Sequence, residues 1–284
     1  MAIDKSRPVL ITGCSTGIGR ATAERLVDDG WNVHATARRP ETIEDLAKRG
    51  CTVQALDVTD EGSMAQAVAE VEKDGPIGAL VNNAGYSQSG AIETIPMDSV
   101  RRQFETNVFG LMRMCQLVLP SMRGEGSGRI VNLSSMGGKL TFPGGGVYHA
   151  TKHAVEALSD ALRFEVDGFG IDVVIIEPGL IVTNFGEAAV GSMADNESDG
   201  PYAGFNTAVA AATANAYDGP MARLGAGPDA VAAKIAHAIS ARRPSPRYKV
   251  TASARLVMGM RRVMTDRMWD RFVGTQFPHP KPEV

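Results

Sequence analysis

Over its first two-thirds the chain alternates short β-branched runs with longer amphipathic stretches. Val9-Leu10-Ile11 reads as a buried strand, and Ile18 to Asp29 as a helix that Gly30 ends. Asn32 to Ala37 predicts a second strand, Thr42 to Arg49 a helix ended by Gly50, and Thr52 to Leu56 a third strand. Helical spacing follows from Glu61 to Lys73, then the strand Ala79-Leu80-Val81. One long helix is expected from Asp98 to Met122, before a strand from Arg129 to Leu133. Val147 to Val166 predicts another helix and Ile171 to Ile176 a sixth strand. Strands alternating with helices imply right-handed crossovers and a parallel sheet covered on both faces. The expected fold is therefore α/β, a doubly wound Rossmann-type sheet in a single domain over 1–284. Such sheets bind ligands beyond the carboxyl ends of their strands.

From Asn184 to Pro228 the texture changes to Ala, Gly, Ser and Asn with isolated aromatics, Phe185, Tyr202, Phe205 and Tyr217. So long a segment without a clear period predicts a loop that serves as a substrate lid, after a cofactor-binding and catalytic core over 1–183. Residues 229–284 then form a C-terminal extension. In it Asp229 to Ser240 looks helical and Tyr248 to Thr251 predicts a last strand. Leu256, Val257, Met260, Val263, Met264, Met268, Trp269, Phe272 and Val273 recur at helical spacing, with arginines between them. A basic amphipathic helix of this kind can lie on a membrane surface. Packing over a pocket or subunit needs the same stripe and is the favoured reading.

Bulk properties narrow the class. The 284 residues are 44% hydrophobic and 21% charged, with formal net charge −3, so no basic field argues for nucleic acid. No run reaches the 18 or more apolar residues of a membrane helix. Cys14, Cys51 and Cys115 are scattered and odd in number, which suits reduced thiols better than a disulfide framework. Residues Met1 to Pro8 are too polar for a signal peptide, and the expected location is cytoplasmic.

Candidate chemistry starts in the turn Thr12-Gly13-Cys14-Ser15-Thr16-Gly17-Ile18-Gly19, between the first strand and first helix. A helix N-terminus offers unpaired N–H groups and positive dipole to a pyrophosphate, and glycines let the backbone approach it. The competing reading is an ordinary glycine-rich turn. An NAD enzyme commonly ends its second strand with Asp or Glu, to hold the ribose 2′-OH. Here Ala37 is neutral and Arg38 and Arg39 follow. Guanidinium groups can bond a 2′-phosphate at about 1.5–3 kcal/mol per charged hydrogen bond, so the expected cofactor is NADP(H). The alternative is that both arginines are merely solvated.

Further on, Tyr148 and Lys152 stand four residues apart on a helix and share a face. A tyrosine hydroxyl with a pKa of about 10 is too weak a base at neutral pH. A nearby cation lowers an acidic pKa by about 1–3, and an oxidised nicotinamide adds a second charge. Tyr148 can then serve as acid in reduction and as base in oxidation.

These motifs, in this order, resemble those of the short-chain dehydrogenase/reductase family over roughly Pro8 to Thr183. They are the TGxxxGIG turn with Ser15 and Ile18, Asp57-Val58, Asn82-Asn83-Ala84-Gly85, Ser135 with Tyr148 and Lys152, and Pro178-Gly179 with Ile181 and Thr183. The turn's wording is similar to that of 17β-hydroxysteroid and retinol dehydrogenases. The resemblance implies that Asp57 and Val58 border the adenine and that Asn83, Ala84 and Gly85 line the cofactor path. Pro178, Gly179, Ile181 and Thr183 would hold the nicotinamide amide end. It also implies a catalytic set of Asn107, Ser135, Tyr148 and Lys152. Ser135 bonds the substrate oxygen, Lys152 fixes the ribose, and Asn107 holds a water linked to Lys152. Neighbouring Ser134 would face the other way. A homodimer or homotetramer through the long helices is implied as well.

His149 and His153 have the spacing of a helical metal pair, but no third ligand is visible, and no metal is expected. Cys14 could be oxidised without cofactor, although a small residue that fits is the simpler reading. The expected activity is NADP(H)-dependent hydride transfer at a carbonyl or secondary alcohol of a small lipophilic substrate. The alternatives are a non-catalytic NADP(H)-binding sensor or partner subunit, and an epimerase or lyase that uses the same tyrosine.

Overall fold

The structure, a computed structural model, describes residues 3–183, 185–194, 200–277 and 279–280. Met1 and Ala2 of the polar N-terminal stretch, and Asn184 at the start of the expected lid, lie outside them. The described residues form a seven-stranded parallel sheet in the order β3-β2-β1-β4-β5-β6-β7. The strands are β1 (Val9–Ile11), β2 (Val33–Ala37), β3 (Thr52–Ala55), β4 (Ala79–Asn82), β5 (Gly128–Leu133), β6 (Ile171–Glu177) and β7 (Arg247–Lys249). In register, Val9 pairs with Val33 on one side and Ala79 on the other. The chain order reverses between β1 and β4, which opens a crevice at their carboxyl ends.

Helices cover both faces: α1 (Gly17–Asp28), α2 (Glu44–Lys48), α3 (Glu61–Val71), α4 (Met97–Phe104), α5 (Leu111–Gly124), α6 (Gly146–Asp167), α7 (Phe185–Ala194), α8 (Ala203–Asp218), α9 (Pro228–Ser240), α10 (Ala252–Val263) and α11 (Asp266–Gly274). Because the sheet is covered twice, successive strand residues feed opposite cores. Val9 and Ile11 join Leu26, Val33 and Ile235 on one face, while Leu10 joins Leu80, Met114, Val118 and Ile130 on the other. This is why β1 and the 173–176 stretch of β6 read as unbroken apolar runs. Truncating any of these large side chains costs about 2–5 kcal/mol.

Four expectations need correction. The segment from Asn184 to Pro228 is not a loop: its described residues hold α7, α8 and a 3-10 turn at Pro220–Leu224. Alanine, the strongest helix former, outweighs the scattered Gly, Ser and Asn. The long helix over Asp98 to Met122 changes winding at Glu105–Gly110, which forms a π segment between α4 and α5. β7 ends at Lys249, and Thr251 instead caps α10 by accepting from Ala254 N at 3.1 Å. The amphipathic stretch is two helices. Met264 is extended (ψ 138) and Thr265 caps α11 by accepting from Met268 N.

Candidate active site

The glycine turn is fixed from both sides. Thr12 Oγ1 accepts from the N–H groups of Asn83 and Ala84, both at 3.0 Å, and Asn83 Nδ2 donates to the carbonyls of Thr12 and Gly13 at 2.9 Å. A Cβ on Gly19 would lie 2.3 Å from the Gly13 carbonyl and 2.4 Å from Asn83 Nδ2, so this helix start tolerates no side chain. Gly13 and Gly17 have φ of 74° and 59°, in the region that favours glycine. At the head of α1 the Thr16 side chain makes no capping bond, and the first turn holds no acidic residue. Its N–H groups are therefore left to an external anion. Ser15 is exposed beside them, and Ile18 packs on the core. Donors, dipole and a cradle that a Cβ would fill together fit a dinucleotide pyrophosphate.

The other cofactor candidates ring the same crevice. Ala37 is buried at the end of β2, with Arg38 and Arg39 exposed beyond it. Asp57 is held at the end of β3, its N–H on Ser63 Oγ and its Oδ1 accepting from Thr59 N and Oγ1 at 2.9 and 2.7 Å. Val58 meets the π segment so closely that a Cβ on Gly110 would lie 2.3 Å from its carbonyl. Thr183, after β6, closes on the turn, with its Cγ2 3.4 Å from a Cβ built on Gly17. Pro178 anchors the loop after β5 by accepting from Met136 N at 2.8 Å. Gly179 has a packing reason to be glycine, since a Cβ there would lie 2.3 Å from Thr251 Oγ1. Ile181 is buried in a bridge to Ala226.

The catalytic candidates converge on α6. Lys152 is 7% exposed; its ammonium donates to the Leu133 carbonyl at 2.7 Å and lies 5.8 Å from the Tyr148 ring centre. Burial pushes its pKa down to about 8, against the opposing pull of Glu156. The ammonium is thus charged at neutral pH but holds its proton loosely. Two residues past Leu133, Ser135 accepts from Gly137 N at 3.1 Å, which leaves the hydroxyl hydrogen for another acceptor. Ser134 is buried beneath it, 2.6 Å from a Cβ built on Gly138. The Tyr148 ring packs against Phe185 of α7 and against His149.

Asn107 lies in the π segment, the kind of bulge that often marks a functional position in a helix. Its amide exchanges bonds with the Tyr86 backbone at 3.1 and 2.9 Å and donates to Thr151 Oγ1 at 3.1 Å. It is thereby tied to α6 one residue before Lys152. A Cβ on Gly85 would lie 3.1 Å from the Asn107 Oδ1, so the Asn83 to Gly85 stretch is shaped around it.

Sequence reasoning missed Thr12, Tyr86 and Thr151, which hold the candidates in place. Thr12 was in plain view inside the turn motif. The other two become visible only once the chain is folded. In the sequence Phe185 is a lone aromatic, with nothing to show that it meets Tyr148. His149 is pushed down to a pKa of about 4 by burial, and its Nδ1 accepts from Phe142 N at 3.3 Å; it packs as a neutral ring. Cys14, Cys51 and Cys115 are free and buried. Burial pushes the Cys14 thiol up to about 12, so it is not a reactive thiolate.

A family model described as short chain dehydrogenase matches residues 7–192. The chain is 36% identical over 269 residues to the uncharacterized oxidoreductase YbbO of Escherichia coli, with 94% of each chain covered. It is 32% identical over 276 residues to an NADPH-dependent 3-dehydrocapnine reductase of Ornithobacterium rhinotracheale, covering 93% of this chain and 95% of that one. A short-chain dehydrogenase structure from Streptomyces avermitilis superposes with TM-score 0.79, at 35% identity over 96% of both chains. The closed form of a serine dehydrogenase complexed with NADP+ gives TM-score 0.74 at 26% identity, covering 86% of this chain and 94% of that one.

Proposed function

This chain belongs to the short-chain dehydrogenase family of oxidoreductases, and from that premise we propose that it uses NADP(H) to interconvert a lipophilic ketone and its secondary alcohol. One observation carries the reading: a nearly buried lysine, with one hydrogen bond from its ammonium among the described residues, lies beside Tyr148 at the mouth of a crevice shaped for a dinucleotide. The bound nicotinamide supplies or accepts the hydride. Ser135 directs its free hydroxyl hydrogen at the substrate oxygen as charge develops there. Tyr148 gives the proton to that oxygen in reduction and takes it in oxidation. The Lys152 charge favours the phenolate and the ammonium bonds the cofactor ribose. Asn107 holds the α6 side of the site through Thr151.

Two features support the phosphorylated cofactor. The end of β2 carries no carboxylate but two exposed guanidinium groups, and one relative is named as NADPH-dependent. Arg38→Ala with Arg39→Ala is expected to raise the KM for NADPH at least tenfold and to leave that for NADH nearly unchanged.

For the substrate, Phe185 on Tyr148 and the neighbouring Phe142, Trp269 and Phe277 cluster provide an apolar wall. We assign α7 and α8 as the lid. They are fastened to the segment after β4 by Ser192 accepting from Ser89 N at 3.0 Å and Asn206 from Ala91 N at 3.1 Å. Phe109, Met112 and Phe164 are exposed on and beside the long helices, which supports a homodimer or homotetramer. Among the described residues no helix is long and apolar enough to cross a membrane. The test is NADPH consumption against a panel of lipophilic ketones, with Tyr148→Phe as control. Turnover by that variant at the wild-type rate would refute the assignment.

A further inference from the structure

Apart from the dinucleotide crevice, a cavity of about 390 Å³ opens where β6, β7 and α10 meet, lined by Lys139, Glu177, Arg247, Lys249, Arg261 and Arg262 among others. Its charges are not balanced internally. Arg247 is committed to Glu156 and Asp160, Lys139 to Glu156 at 2.8 Å, and Arg261 to Asp266 at 2.6 Å. Among the described residues, no salt bridge engages Lys249 or Arg262, and both are exposed at the rim.

The wall of the cavity carries the opposite anomaly. Glu177, the last residue of β6, is fully buried, and neither of its carboxylate oxygens accepts a hydrogen bond among the described residues. Its Oε1 lies 3.5 Å from Arg247 Nε, too long for a hydrogen bond of normal strength. Burial, with the charge of Glu156, pushes its pKa up to about 7. Buried acceptors are nearly always satisfied, and an orphan of this kind points to a missing donor.

A ligand that meets both needs must be an anion for Lys249 and Arg262 and must also present a hydrogen to Glu177. We propose that this cavity is a second ligand site, specific for a phosphate-type oxyanion that carries its own donor hydrogen. Hydrogen phosphate is the simplest such group, and a phosphate monoester with a neighbouring hydroxyl has the same chemistry. Sulfate has the same shape and charge but no hydrogen, so at pH 8, where Glu177 is mainly ionised, it sets a negative oxygen against a carboxylate that still lacks a donor. The site is separate from the oxidoreductase reading and does not depend on it.

The test is calorimetric titration of the whole protein at pH 8 with inorganic phosphate, sulfate and glycerol 3-phosphate. Phosphate is expected to bind at least tenfold more tightly than sulfate. Glycerol 3-phosphate binding more tightly than phosphate would identify a phosphorylated metabolite as the natural occupant, and equal or weaker binding the free ion. Lys249→Ala with Arg262→Ala should weaken phosphate at least tenfold, while Arg38→Ala with Arg39→Ala should not. Glu177→Gln replaces an acceptor by a group that can donate to either anion, and should reduce the phosphate preference to less than threefold. Equal wild-type affinity for phosphate and sulfate would overturn the proposal. So would phosphate binding lost with the Arg38 and Arg39 pair rather than with Lys249 and Arg262, or a preference that survives Glu177→Gln.

Discussion

Two buried cations on adjoining elements, Arg129 on β5 and Lys152 on α6, are held in different ways. The Arg129 guanidinium is fully buried and donates to the Ala238 carbonyl, to that of Ala241 at 3.2 Å and to Asp172 at 2.9 Å. These carbonyls end α9, where the helix dipole favours positive charge. Burial lowers the pKa of Arg129, with Asp172 opposing it, but a guanidinium does not give up its proton in a protein. Lys152 is almost as buried, yet among the described residues its ammonium has one hydrogen bond, to a carbonyl on the same strand. The first cation has both terminal nitrogens bonded, with Nε alone unpaired among the described residues, and it joins sheet to helix. The second is left under-coordinated, which raises its free energy in the folded chain and leaves donors for a ligand.

The sharpest way to break this contrast is to remove both charges with an apolar side chain of similar length. Lys152→Met is expected to lower turnover by about 10²–10⁴, the usual contribution of acid–base machinery, without loss of thermal stability, because it relieves a poorly compensated buried charge. Arg129→Met should do the reverse. Stripping the donor from Asp172 and the end of α9 should cost about 3–5 kcal/mol in a denaturant melt, with kcat of the folded fraction unchanged. If Lys152→Met unfolded the protein, or Arg129→Met lost turnover while remaining folded, the division would be wrong.

What the sequence could say about these regions follows from how local each signal is. The strands and the glycine turn were legible because parallel strands buried on both faces must be continuous apolar runs, and a helix meeting a phosphate needs its glycines at fixed spacing. Tyr148 and Lys152 were legible because four residues on a helix is a distance. Arg129 carried no such signal: a lone arginine in a strand gains meaning only from the carbonyls of residues 238 and 241, brought in by folding. The π segment was equally hidden, since a change of winding leaves the apolar spacing intact while it turns Asn107 toward Tyr86 and Thr151. The α10 to α11 break carries a local sign, the cap Thr265-Asp266, but the apolar periodicity runs on across it and masks it.

Protonation gives a smaller and independent handle. Folded Lys152 gives up its proton at about 8, and the unfolded side chain at its ordinary 10.5. Between those values the unfolded state binds more protons, so this group's contribution to stability rises with pH across that window. The buried Cys14 and Cys115 thiols, pushed up to about 12 from an ordinary 9, act in the opposite sense above pH 9. Comparison of wild type with Lys152→Met cancels the thiols. The difference in unfolding free energy should shift in favour of wild type by up to about 3 kcal/mol from pH 8 to 10.5. A flat difference would mean that the ammonium is better satisfied than its single bond suggests.

The smallest effect tests what holds the Arg129 guanidinium. Asp172 is 39% exposed, so its ion pair with Arg129 is partly screened, whereas the carbonyls at the end of α9 bond the guanidinium out of water. Asp172→Asn keeps an oxygen that can accept from Nη2 and removes only the charge. Its expected cost is therefore about 1 kcal/mol, well below that of Arg129→Met, and it should shrink further in high salt. Urea melts of both variants at two salt concentrations measure it. A loss for Asp172→Asn as large as for Arg129→Met would move the anchor from the helix end to the carboxylate, and the hold on Arg129 would then rest on one charge rather than on the carbonyls of α9.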